Sequence, residues 1–150
     1  GVDVIIQHTD SPAAMQVAQK EKIWAVGQAT DMTAFGPDAH LTAVIDNWAP
    51  YYIERVQALM DGTWKSKDHW GGMPEEEIQM GPIHANVPAD VKAEALKLVA
   101  GIKNGSLHPF TGPIANQAGK VIVPAGKIMS DKDLAQMNWY VKGVEGSIPK

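Results

Sequence analysis

The 150-residue chain has no cysteine, so disulfide crosslinks and thiolate chemistry are both excluded. Long apolar runs are missing as well, since none approaches the roughly 20 residues that a membrane-spanning helix needs. Basic charge is scarce: 13 Lys and Arg face 17 Asp and Glu, the net charge is −4, and no Lys/Arg cluster occurs. That balance argues against nucleic acid as a partner. The five histidines (His8, His40, His69, His84 and His108) have no HxxxH-type spacing, so no zinc site is expected. A Gly-rich phosphate loop, a nucleophile elbow and a paired-carboxylate constellation are absent too, which points to neither a cofactor nor a catalytic step.

What remains describes an ordinary globular chain. Hydrophobic residues make up 45% and charged residues 20%, a composition that suits one domain burying roughly 70% of its unfolded surface. The sequence opens at Gly1 on a strand-like run, without Met or a signal-like segment. Such a start is expected of a piece cut from a longer protein, with any export signal lying upstream.

Three apolar runs organise the first half: GVDVII at 1–6, IWAV at 23–26 and LTAVI at 41–45. Each predicts a buried strand. Between the first two, Thr9, Asp10 or Ser11 can cap a helix, Pro12 suits its first position, and Ala13 to Lys20 continues it. After the third run, Pro50 to Met60 predicts another helix, ended by Asp61-Gly62. Strand, helix, strand, loop, strand, helix implies an α/β fold with a parallel sheet flanked by helices. Ligands of such sheets sit beyond the carboxyl ends of the strands, here at 7–12, 27–32 and 46–49. The topology therefore gathers His8, Asp10, Gly27, Asp31, Asp46, Asn47 and Trp48 on one rim as candidate ligand-binding residues.

The second half is less regular. Thr63 to Lys65 and His69 to Met73 predict a hairpin or short edge strands, and Glu75 to Met80 a strand ending near Gly81-Pro82. Val91, Ala95, Leu98, Val99 and Ile102 form the apolar stripe of the clearest helix, which starts near Pro88 and stops at Asn104-Gly105. Leu107 to Ile114 is an extended, turn-rich link. Lys120 to Gly126 predicts an edge hairpin, because Pro124 would interrupt a central strand. Ser130 to Asp133 is a capping box with Asp in place of Glu, leading a short helix through Leu134, Met137 and Trp139. Gly143 to Lys150 is turn-like.

These stretches resemble the basic membrane protein (BMP) family of substrate-binding lipoproteins, which serve ABC transporters for purine nucleosides and related bases. The resemblance is carried by GVDVII at 1–6, AVGQATDM at 25–32, LTAVIDNWAPYYIERV at 41–56 and GTWK at 62–65. It continues through GSLHPFTGPI at 105–114, AGKIMSD at 125–131 and the ending from Leu134 to Pro149. It implies a type I periplasmic binding-protein fold of two α/β lobes that close on a ligand. This chain would then be the C-terminal lobe (core 1–104) with a hinge-crossing tail (105–150), and the N-terminal lobe would be absent. It also implies a periplasmic, lipid-anchored protein that binds a purine nucleoside or base and passes it to a permease.

Three positions depart from the family pattern. Gly27 and Asp31 match a loop often written G-x-D-x-D, but Ala29 replaces its first Asp. The loop from Gln7 to Pro12 lacks the usual glycines, and Asp46 stands where many members place Lys. A carboxylate accepts hydrogen bonds where Lys only donates, so Asp46 suits an amino or N–H donor on a base.

Each candidate has an ordinary structural alternative. Asp31 and Asp46 suit turns and caps, Trp48 suits packing, and His8 suits a strand-end contact. Gly27 marks a close backbone approach or a sharp turn. Glu75 to Glu77 is expected to be a solvated charge run, and Trp64, Trp70 and Trp139 to fill core or interface. Two other functional classes stay open: a small α/β enzyme using His8, Asp10 and Asp46, and the ligand-sensing domain of a receptor or regulator. A lobe without its partner should also expose apolar surface and self-associate.

Overall fold

The computed structural model describes residues 1–148. Pro149 and Lys150, which end the turn-like tail and the family-like ending, lie outside the described residues. The chain divides into two units, one of residues 1–104 and a second from Gly105 onward.

The first unit is built on a four-stranded sheet in the order β1 (Val4–Ile6), β2 (Trp24–Ala29), β3 (His40–Asp46), β4 (Ile78–Met80). The first three strands are parallel, with Ile6 opposite Val26 and Ala29 opposite Ile45. β4 runs antiparallel beside β3, Val44 facing Met80. The mixed α/β architecture and its parallel-dominated sheet are those the sequence predicts.

Helix α1 (Ala13–Glu21) joins β1 to β2 and buries Met15 and Ala18 against the sheet. Together with Ala25, Met32 and Ala39 they form the core, flanked by Ile5 and Ile23. Three of these five residues are alanines, so the backbone layers pack close. Pro12 stands just before the helix, and Ser11 Oγ accepts from the Ala13 N–H at 3.2 Å. Lys22 closes the other end in a left-handed conformation. Helix α2 (Ala49–Met60) starts with Pro50 in its first turn. Helix α3 (Ala89–Lys103) half-buries Ala95, Val99 and Ile102, while Val91 and Leu98 of the predicted stripe are exposed. It ends at Asn104, followed by Gly105 at φ 74°.

Three expectations are corrected here. β1 is not a buried strand: Val4 and Ile6 are exposed, because among the described residues only β2 pairs with it. Residues 63–72 form neither hairpin nor edge strands. Gly71-Gly72 there shapes a turn that is held by side chains instead of by a β ladder. Trp64 and Trp70 are exposed, not core residues.

The second unit is a small antiparallel pair, β5 (Ile114–Ala115) with β6 (Val121–Val123), followed by α4 (Asp131–Ala135). Pro124 lies just past β6, as its missing N–H demands. The capping box at α4 is present: Ser130 Oγ accepts from Asp133 N–H and the Asp133 carboxylate accepts from Ser130 N–H, both at 3.2 Å. The Ser130 hydroxyl, which donates to Asp133 Oδ2 at 2.6 Å, and then the Ser130 N–H hold the Asp133 carboxyl below its usual range. α4 is shorter than predicted, since Met137 and Trp139 lie beyond it. The tail returns along β5, with Lys142 N–H donating to Ala115 O at 2.8 Å and Gln117 Nε2 to Val144 O at 2.7 Å.

Candidate functional site

Because β1, β2 and β3 are parallel, their carboxyl ends share one edge of the sheet. Ligands of open parallel sheets occupy that edge. A cavity of about 330 Å³ between α3 and the sheet, lined by Trp24, Leu41, Met80 and Val91, lies at the opposite end, where β2 and β3 begin. It has no part in the rim.

His8 and Asp10 lie in the exposed loop after β1. That loop reaches the segment after β2 through Gln7, whose Nε2 donates to Met32 Sδ at 3.4 Å.

Gly27 is inside β2, not in the loop after it. A Cβ there would lie 3.0 Å from Ala43 Cβ and 3.3 Å from Met32, so its bareness lets β3 and Met32 pack close. The close approach anticipated at Gly27 is therefore made by protein. The turn falls at Ala29 instead, whose φ of 62° is in the left-handed region that costs an L side chain roughly 1 kcal/mol. Ala29→Gly should raise the stability by about 0.5–1 kcal/mol, read as a later denaturant midpoint with unchanged slope. An earlier midpoint would contradict that strain.

Asp31 is engaged locally. Its Oδ1 accepts from Thr33 Oγ1 at 2.6 Å and from Thr33 N–H at 2.9 Å, starting the single 3-10 turn Thr33–Phe35. His40 Nε2 lies 3.4 Å from the same oxygen, near enough for charge attraction. The approach is not that of a hydrogen bond, and this buried nitrogen has no hydrogen-bond partner among the described residues. The Thr33 hydroxyl, then the Thr33 N–H and, less, His40 hold the Asp31 carboxyl below 3.8, against a small opposing effect of burial. A depressed carboxylate adds stability that is complete above its unfolded value and is lost as pH falls through the folded one. The Asp31 carboxyl carbon should therefore titrate below 3.8 by NMR, and Thr33→Val should raise that midpoint. A midpoint at or above 3.8 in the parent protein would contradict the hydrogen bonding.

The end of β3 presents Asp46, Asn47 and Trp48 in succession. Asp46 is half-buried, and among the described residues no hydrogen bond or ion pair engages its carboxylate. Asn47 is held on two sides: its N–H donates to Glu77 O at 2.7 Å and its Nδ2 to Glu76 O at 3.0 Å. Trp48 is 46% exposed at the start of α2. It heads a cluster in which its ring lies 5.9 Å from Tyr51 and 6.2 Å from Tyr52, while Tyr51 meets His69 at 4.5 Å.

That cluster, and the turn behind it, are what sequence reasoning missed. Glu77 is not solvated: it is 8% exposed, and its carboxylate meets His69 Nε2 at 2.6 and 2.8 Å. Its neighbours Glu75 and Glu76 are exposed, as expected of a charge run. The spacing of Trp48, Tyr51 and Tyr52 at i, i+3 and i+4 could have disclosed the aromatic cluster. Nothing local could have disclosed the His69–Glu77 pair.

An α/β layer that presents an acid, an amide and an indole at the carboxyl end of a parallel strand suits the class of proteins that bind small solutes. Residues 1–107 match the family described as ABC transporter substrate-binding protein PnrA-like (Bmp), and the chain belongs to that family. A purine-binding protein of Brucella abortus is 52% identical over 150 residues, covering 100% of this chain and 43% of its own. A putative ABC transporter glucose-binding protein of Haloferax volcanii is 31% identical, covering 99% of this chain and 36% of its own. The chain thus spans less than half the length of these relatives.

Among solved structures, a transcriptional activator of the comK gene from Bacillus halodurans is similar with a TM-score of 0.64 at 16% identity, over 72% of this chain and 39% of its own. An ABC transporter solute-binding protein from Conexibacter woesei gives 0.52 at 21%, over 72% and 37%. These two likenesses concern the fold.

Proposed function

We propose that the chain is the C-terminal lobe of a two-lobe binding protein, with core 1–104 and a hinge-crossing tail from 105, and that its cleft takes a purine nucleoside or base. One observation carries the reading: Asp46, half-buried and with a carboxylate that has no partner among the described residues, is followed directly by the fixed amide of Asn47 and the half-exposed ring of Trp48. A carboxylate accepts from an amino or ring N–H, and an indole face stacks on a planar base. The 52% identical relative is named for purine binding, which agrees. His8, Asp10, Gly27 and Asp31 complete the proposed rim, Gly27 through packing.

In this reading the ligand is bound without a catalytic step. Its contacts favour the closed form over the open one, and the closed form is what a permease recognises. The protein works outside the cytoplasm, held there by a lipid anchor. Ile53 (70%) and Met60 (75%) of α2 are exposed, so the isolated chain would self-associate unless another lobe covers them.

A second reading rests on the relative named for glucose binding: a sugar also hydrogen-bonds to a carboxylate and stacks on an indole. Native mass spectrometry of the full-length protein as purified separates the two. A co-purified purine mass supports the first, and a hexose mass overturns it.

A further inference from the structure

Resting on the purine reading, the geometry points to His69 and Glu77 as a positioning pair that fixes Asn47 with its side-chain carbonyl toward the ligand. The argument starts from the amide. Asn47 Nδ2 donates to Glu76 O at 3.0 Å, which fixes the amide and spends one of its two N–H groups on the protein. Among the described residues Oδ1 has no hydrogen-bond partner, and it is an acceptor only. With the Asp46 carboxylate it offers a second acceptor, and the two suit a ligand's exocyclic amine, whose two N–H groups both donate.

The Asn47 orientation depends on where the carbonyls of Glu76 and Glu77 are, and those belong to a turn with no β ladder of its own. Glu77 N–H donates to Gly72 O at 3.0 Å, and Asn47 N–H to Glu77 O at 2.7 Å. The Glu77 carboxylate locks this turn by taking His69 Nε2 at 2.6 and 2.8 Å. It lies so close over Gly71 that a Cβ there would fall 1.9 Å from Oε2. His69 is in turn packed on Tyr51 at 4.5 Å, and the Arg55 guanidinium lies 5.4 Å from the Tyr51 ring. The pair therefore ties α2, the irregular segment and the end of β3 together at the rim. Neither side chain touches the ligand in this account.

The test is a double-mutant cycle on the full-length protein, with adenine as the probe and calorimetry as the readout. Glu77→Ala should weaken adenine about tenfold when Asn47 is present and less than about twofold in an Asn47→Ala background, since coupled residues are not additive. Glu77→Gln, which keeps an acceptor for the imidazole, should recover most of the loss. Equal losses in both backgrounds would overturn the inference. Should Glu77→Ala not fold, His69→Gln in the same two backgrounds gives the same comparison. Hydrogen exchange of the Asn47 N–H in ligand-free protein is independent of the ligand's identity. Glu77→Ala or His69→Gln should speed it relative to Val44, and an unchanged rate would overturn the inference. If the parent protein binds neither adenine nor adenosine, the purine reading fails while exchange still decides the positioning role.

Discussion

Asp46→Ala in the full-length protein should weaken adenine binding about 50-fold, because a hydrogen bond to a charged group contributes roughly 1.5–3 kcal/mol and each 1.4 kcal/mol is tenfold. The expectation follows from what surrounds the residue. Asp46 ends β3 half-buried and, among the described residues, its carboxylate makes no hydrogen bond or ion pair, so that group has no structural work to lose. Thermal stability of the ligand-free protein should accordingly be unchanged. Asp46→Asn retains one acceptor oxygen and should lose less, about tenfold. A loss below about twofold for Asp46→Ala would place the ligand elsewhere.

Met15→Ala should reduce stability by about 3 kcal/mol, within the range for deleting a buried Met side chain. Met15 is fully buried, and its core companions Ala18, Ala25 and Ala39 have little bulk with which to fill the space. A Cβ at Gly36 would fall 2.9 Å from Met15 Cγ, so the surrounding backbone already touches the side chain. The midpoint of urea unfolding reads the loss. Met15→Leu, nearly equal in volume, should cost less than about 1.5 kcal/mol. Because Met15 is on α1 and not on the rim, adenine affinity of the folded fraction should not move. A Met15→Ala cost under about 1 kcal/mol would mean that the core collapses around the gap.

The sheet was legible because its strands are short apolar runs with turn residues between them, and α1 and α3 because proline and glycine mark their ends. What escaped is tertiary. β1 reads as buried from its β-branched residues, yet burial depends on what lies over Val4 and Ile6, which no local pattern encodes. Residues 63–73 alternate enough to suggest strands, but Gly71 has another use, making room for the Glu77 carboxylate.

The rim shows the same division. Topology places six of its seven residues at three strand ends, since parallel strands share an edge, and Gly27 inside β2. Their separate duties come from contacts. Asp31 turns its Oδ1 to Thr33, Gly27 accommodates Ala43, and Asn47 is fixed by the carbonyls of Glu76 and Glu77. Glu77 is the sharpest case: three consecutive glutamates read as solvated, yet the third is buried with its carboxylate on His69, eight residues earlier in the chain.

Titration calorimetry of ligand-stripped full-length protein with adenine, adenosine and glucose tests the central claim most directly. The account predicts that at least one of the two purines binds tightly, with an affinity that falls when Asp46 is replaced, and that glucose gives no heat of binding. Tight glucose binding with neither purine bound would contradict it.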